Sequence, residues 1–125
     1  MSVGPFAAPT DVADHYERRL RMETDCADVY GAMQTGDPGF VLIDTRSVDA
    51  YAERHVPSAV SIPSPELTAA SLAEFGADAR FVTYCWGPHC NGAAKGAARI
   101  ARLGYPAKEM LGGMWGWEME GYAFG

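Results

Sequence analysis

Clustered positive charge is what this chain most clearly lacks: ten Lys and Arg stand against sixteen Asp and Glu, for a formal net charge of -6. Nucleic acids and anionic membranes are held largely by grouped basic side chains, so neither is expected as the main partner. No apolar run approaches the length that spans a bilayer, and residues 1–22, MSVGPFAAPTDVADHYERRLRM, contain no positive segment leading into an apolar one. A cytoplasmic location is therefore the default expectation. Cysteine is scarce as well: Cys26, Cys85 and Cys90 are an odd and sparse set, which argues against a disulfide framework of the secreted kind and leaves at least one thiol free. What remains, for 125 residues of which 48% are apolar, is one compact domain that acts on small molecules or on a protein partner.

The punctuation along the chain separates its elements. Residues 1–9, with two prolines, a glycine and no periodicity, read as a flexible arm, and 10–125 as the domain. Two short helices are expected within 10–36: DVADHYERRLRM, with Val12, Tyr16 and Leu20 on one face and Thr10 or Asp11 as cap, and TDCADVYGAMQTG, capped by Thr24 or Asp25 and ended by Gly36. Cys26 on the second reads as a small buried hydrophobe. FVLIDTRS is an apolar run ending at Asp44, and SVDAYAERH is a helix capped by Ser47. PSAVSIPS is a short β segment, PELTAASLAEFG a helix and ARFVTYC a third strand. NGAAKGAARIARLG is a helix stopped by Gly104, YPAKEML a fourth strand, and the tail GGMWGWEMEGYAFG opens a last helix. Strands that are apolar throughout, separated by helical patterns, indicate an α/β fold: a small parallel β-sheet with helices on both faces.

In such sheets ligands bind beyond the carboxyl ends of the strands, where Asp44 and Cys85 both fall. A thiol between a strand end and the first turn of a helix meets backbone N–H groups that have no intrahelical partner, and these favour the thiolate, the nucleophilic form. Gly87 and Gly92 let the backbone curl closely round whatever docks there.

With these residues in place the sequence resembles a single-domain rhodanese, of the rhodanese-like (sulfurtransferase) family. Four motifs carry the likeness in order: LIDTRS, YAERHVPSAVSIP, TYCWGPHCNGAAKGAARIARLGY, and GGMWGWEMEGY with Gly112, Gly113, Trp117 and Gly121. Together they lie within residues 39–122. The resemblance implies that Cys85 attacks a sulfane sulfur, such as the outer sulfur of thiosulfate, and carries it as a persulfide to cyanide or a thiol, with no metal and no cofactor. Trp86, Gly87, His89, Cys90 and Asn91 would form the substrate-binding loop. The six residues from Cys85 to Cys90 match the sulfur-transferring branch, whereas the phosphatase branch has seven ending in arginine. Asp44 and Arg46 match an Asp-x-Arg motif with an expected structural role, Arg46 pairing with a carboxylate such as Glu53. Lys95, with Arg99, is an accessory candidate that could supply positive field.

Several positions depart from the family pattern. Pro88 removes one N–H donor from the loop. The loop carries no Arg or Lys, with His89 a partial substitute, which points to a donor less charged than thiosulfate. Arg54 and Ser58 replace glycines near His55. Cys90 is a second thiol that could receive sulfur from Cys85 or close a disulfide with it. The competing expectation is therefore a sulfur-carrier or redox-sensing module that uses Cys85 and Cys90 without turnover. The expected partners are a small anionic sulfur donor and a thiol or cyanide acceptor, with a protein acceptor as a further candidate.

Overall fold

The structure, a computed structural model, describes residues 1–125. Its five strands are β1 (Glu23–Asp25), β2 (Val41–Asp44), β3 (Val60–Ser61), β4 (Phe81–Tyr84) and β5 (Ala107–Leu111). They form one sheet in the order β1-β5-β4-β2-β3, and every pairing is parallel. The helices are α1 (Pro9–Met22), α2 (Cys26–Gln34), α3 (Val48–Glu53), α4 (Ala69–Ala73), α5 (Gly92–Arg102) and α6 (Gly113–Met119).

Successive side chains on a strand point to opposite faces, so each central strand feeds two cores. On one face Leu42, Val82, Tyr84 and Met110 pack with Cys26 and Val29 of α2 and with Met114 and Trp117 of α6. On the other, Ile43 and Phe81 meet Leu67, Leu72 of α4 and Ile100 of α5. Burial on both faces explains why β2 and β4 read as unbroken apolar runs rather than as alternations. Along α5 the buried positions Ala93, Gly96 and Ile100 follow helical spacing, and the small residues Ala93 and Gly96 let the start of the helix lie close to the sheet.

Three local expectations change. The strand β1 went unread because three residues, Glu-Thr-Asp, carry no apolar signal; it pairs only with β5, at the sheet edge, where charged side chains are common. The first helix begins at Pro9 with Ala8 in the cap position, earlier than a Thr10 or Asp11 cap, because proline's fixed φ suits the first helical turn. Its stripe of Val12, Tyr16 and Leu20 stays at least two-fifths exposed. The segment PELTAASLAEFG divides into a 3-10 turn, Ser64–Glu66, and α4, because Leu67 is extended and buried and Thr68 starts a new helix. Thr68 and Ser71 bond reciprocally there as a capping box. No helix is long and apolar enough to cross a membrane.

Candidate active site

The chain leaving β4 returns through α5 to β5 on one side, while the chain leaving β2 returns through α3 to β3 on the other. Neighbouring strands whose connections diverge open a crevice at their carboxyl ends. Asp44, Thr45 and Arg46 stand at the end of β2, and Cys85 directly follows β4. Cys85 is 6% exposed.

Two helices begin beside it and use their free N–H groups differently. At α6, Met114 N–H donates to the Cys85 carbonyl at 3.0 Å and Trp115 N–H to the Trp86 carbonyl at 2.8 Å, so this helix start clamps the loop. The clamp requires Gly113: its φ is +54°, and a Cβ there would overlap the Cys85 carbonyl oxygen and lie 3.1 Å from Gly87 N. At α5, by contrast, Asn91 occupies the cap position and its side chain makes no cap bond. Within the loop only Cys90 N–H is bonded, to the Gly87 carbonyl at 3.0 Å. The N–H groups of Trp86, Gly87, His89, Asn91 and the first turn of α5 are left for a ligand or water, and Pro88 supplies none. A Cβ on Gly92 would lie 3.0 Å from Cys85 Sγ, so glycine admits the sulfur to this helix start. A cavity of about 360 Å³ opens here, lined by Cys85, Gly87, Cys90, Glu109 and Gly113 among others. Larger clefts lie at the opposite end of the sheet, around Phe40 and Phe81, away from any cysteine.

Beneath the loop lies a buried polar network. Arg46 pairs with Asp44 at 2.7 Å, their side chains 1% and 0% exposed, and does not pair with Glu53. The reason is geometric: Glu53 is exposed on α3, whereas the Arg46 side chain folds back on the strand end two residues earlier. The guanidinium also donates to the Arg54 carbonyl at 2.6 Å. It lies 4.4 Å from the Trp86 ring centroid, within cation–π range. Tyr84 donates its hydroxyl to Asp44 at 2.7 Å and accepts from Val56 N–H at 3.1 Å. Burial first, then the Asp44 charge and bond, push the Tyr84 phenol well above its ordinary value, so it remains a neutral donor.

Cys90 forms a disulfide with Cys85, their Cα atoms 6.5 Å apart. Trp86, 44% exposed, and exposed His89 stand on the outer side of the loop and do not line the cavity. Lys95 falls elsewhere: it lines a surface cleft with Arg99, Arg102 and Ser64, while Arg99 donates to the Leu67 carbonyl at 3.0 Å. Arg54 is extended, at φ -168°, whereas Ser58 takes φ +67°, the conformation glycine would favour. His55 bonds the Tyr51 carbonyl through Nδ1 at 2.8 Å and accepts from Gly125 N–H, as part of a turn. Cys26 is the remaining free cysteine and is buried, its Sγ facing the Leu111 and Gly113 carbonyls. No group of three or more His, Cys, Asp or Glu side chains comes together to hold a metal ion.

Two residues of the site escaped sequence reasoning. Thr45 bonds the Tyr84 carbonyl through Oγ1 at 2.8 Å, tying the end of β2 to that of β4; its only signal was its place inside Asp-x-Arg. Glu109 had no signal, since a carboxylate on a half-buried strand reads as solvent-facing. Burial, then the charge of Glu23, raise its carboxyl above the ordinary range.

The profile of a family described as "Rhodanese-like domain" matches residues 25–120. A curated relative, the HTH-type transcriptional regulator Rv0324 of Mycobacterium tuberculosis, is 41% identical over 81 residues, which are 64% of this chain and 35% of that protein. The chain thus spans about a third of that relative's length. Among solved structures, the BH2092 protein from Bacillus halodurans superposes with a TM-score of 0.91 at 37% identity, over 94% of this chain and 86% of that one. A thiosulfate sulfurtransferase from Pseudomonas aeruginosa superposes with a TM-score of 0.65 at 22% identity, over 87% of this chain and 21% of that one, a likeness of fold alone.

Proposed function

The chain belongs to the rhodanese-like domain family, and from that premise we propose that it is a sulfurtransferase whose nucleophile is Cys85. The observation that carries the reading is the buried Cys85 sulfur at the switch point, with a loop and a helix start whose N–H groups have no acceptor in the protein. Such donors stabilise negative charge that develops on a bound anion and then on a persulfide.

The cycle begins from the reduced pair. The Cys85 thiolate attacks the outer sulfur of thiosulfate or a related sulfane donor. The donor's S–S bond breaks, sulfite leaves with the bonding electron pair, and Cys85 holds the sulfur as a persulfide. A cyanide or thiol acceptor then attacks the terminal sulfur and restores the thiolate. Trp86, Gly87, His89, Cys90 and Asn91 would contribute the binding loop. Asp44 and Arg46 act from below as positioning residues through Trp86. Lys95 does not line the cavity at Cys85. The unit that performs this is residues 10–125.

A second reading has one observation in its favour, the Cys85–Cys90 disulfide itself, which suits a redox-sensing or sulfur-carrier module. The relative named as a transcriptional regulator leans the same way. Steady-state sulfite release from thiosulfate in the presence of a dithiol separates the two. Catalytic release by the reduced protein, lost in Cys85→Ser, supports the enzyme; at most one sulfite per chain supports the module.

A further inference from the structure

We propose that Cys90 resolves the persulfide on Cys85 by displacing its outer sulfur, which makes the domain a thiol-dependent releaser of sulfide from sulfane sulfur. This rests on the persulfide reading of Cys85. The Cys90 thiolate, its proton lost to solvent, attacks the inner sulfur of the Cys85 persulfide. The bond between the two persulfide sulfurs breaks, hydrosulfide leaves with the electron pair, and the Cys85–Cys90 disulfide forms. The transferred sulfur is reduced to sulfide and two cysteine sulfurs are oxidised to a disulfide, so no outside oxidant enters. A dithiol reductant then reopens the disulfide and starts the next cycle.

Four observations carry the step. The two sulfurs are bonded in the folded chain, with a Cα separation of 6.5 Å that lies inside the ordinary range for disulfides. They meet while the loop stays held by its bonds from Met114, Trp115 and Cys90, so the attack needs no unfolding. Access is unequal: Cys85 is 6% exposed and Cys90 is partly exposed, which directs an incoming reductant to the Cys90 sulfur and makes Cys85 the leaving thiolate. Cys26 offers no competing route, since it is buried against the Leu111 and Gly113 carbonyls. A purely structural purpose is served less well than by a longer link, because residues five apart close a short loop and remove less freedom from the unfolded chain.

The experiment is a single turnover of fully reduced, thiol-free protein with excess thiosulfate, reading sulfite, sulfide and intact mass. Wild type is expected to release one sulfite and one sulfide per chain and to end two hydrogens lighter with no added sulfur. Cys90→Ser and Cys90→Ala are expected to gain one sulfur and to release sulfide only when a dithiol is added. Wild type that keeps the added sulfur and releases no sulfide overturns the resolving step and leaves the persulfide reading standing. Failure of wild type and both Cys90 variants to release sulfite or gain sulfur overturns the persulfide reading itself.

Discussion

Replacing Asp44 with alanine tests the support under the loop. Its carboxylate accepts from Arg46 N–H at 2.9 Å, from Arg46 Nε at 3.0 Å and Nη2 at 2.7 Å, and from the Tyr84 hydroxyl at 2.7 Å. Without it the guanidinium, 1% exposed, keeps only the Arg54 carbonyl as a hydrogen-bond acceptor. Removing one partner of a buried ion pair costs about 3–5 kcal/mol, because a desolvated charge is left uncompensated. Against a total stability of about 5–15 kcal/mol for a domain, that is a large fraction. With a urea slope of about 2 kcal/mol/M, the unfolding midpoint should fall by about 2 M. Far-ultraviolet circular dichroism and tryptophan fluorescence in a urea titration would measure it. A shift below about 0.5 M would refute the reasoning, since the pair would then be hydrated or dispensable.

A companion variant separates the cost of an orphaned charge from the loss of the pair. Asp44→Leu combined with Arg46→Met removes both charges and keeps side-chain volume, and apolar replacements of buried pairs are often neutral. The Arg54 carbonyl and the Tyr84 hydroxyl each lose a partner in the double variant, so recovery should be partial. It should still regain more than half of what Asp44→Ala loses. A double variant no more stable than Asp44→Ala would show that the hydrogen bonds, rather than the unpaired charge, dominate.

Three further outcomes follow from other sites. Burial, with the charges of Asp25 and Glu120, pushes the Cys26 thiol up to about 11, so iodoacetamide at pH 8 should label the partly exposed Cys90 of the reduced folded protein well ahead of Cys26, which reacts fully only in denaturant; equal rates at Cys26 and Cys90 would contradict that burial. Glu109 has a folded value raised by burial and by Glu23, so its ionised form is penalised in the fold: wild-type stability falls as pH rises from the ordinary glutamate range through the raised value. Glu109→Gln should therefore raise the melting temperature at neutral pH, with the gain vanishing below the ordinary glutamate range, and a gain independent of pH would refute the assignment. Gly113→Ala forces a Cβ onto the Cys85 carbonyl and should destabilise by at least about 2 kcal/mol in urea, whereas Gly31→Ala, in α2 with nothing within 4 Å, should stabilise by up to about 1 kcal/mol; matched effects at the two sites would remove the argument for the clamp.

The central strands were legible because burial on both faces forces continuous apolar runs, and β4 followed by glycine, proline and a small-residue helix placed Cys85 at a strand end. Ser47 and Asp25 were legible as caps because an oxygen two or three residues ahead of free N–H groups is a local property: Ser47 Oγ accepts from Ala50 at 3.2 Å and Asp25 from Asp28 at 2.9 Å. The edge strand β1 was not legible, because its pairing with β5 joins residues more than eighty positions apart and its three residues carry no apolar pattern. Arg46 shows the same limit at the site. Sequence order offers Glu53 on the next helix as a partner, but only the three-dimensional sheet reveals that Tyr84 crosses from the adjacent strand to Asp44, while Arg46 folds back on Asp44 between the Arg54 carbonyl and Trp86.

The two helix starts at the site explain how one short loop can be both rigid and receptive. A nucleophile must be held within a few tenths of an ångström, which calls for backbone bonds, yet a binding cradle needs donors that are not already used. The carbonyls of Cys85 and Trp86 are fixed by α6, and this takes up acceptors of the loop, not its donors. The N–H groups of Trp86, Gly87, His89 and Asn91 make no backbone bond, and the first turn of α5 stays open because the Asn91 side chain makes no cap bond. Rigidity thus comes mainly through C=O groups, with Cys90 N–H the one loop donor spent on it, and recognition falls to the remaining N–H groups. That division also accounts for the pairing of Gly113 with Gly92: one lets the clamp reach the backbone of Cys85, the other lets the sulfur of Cys85 reach the cradle.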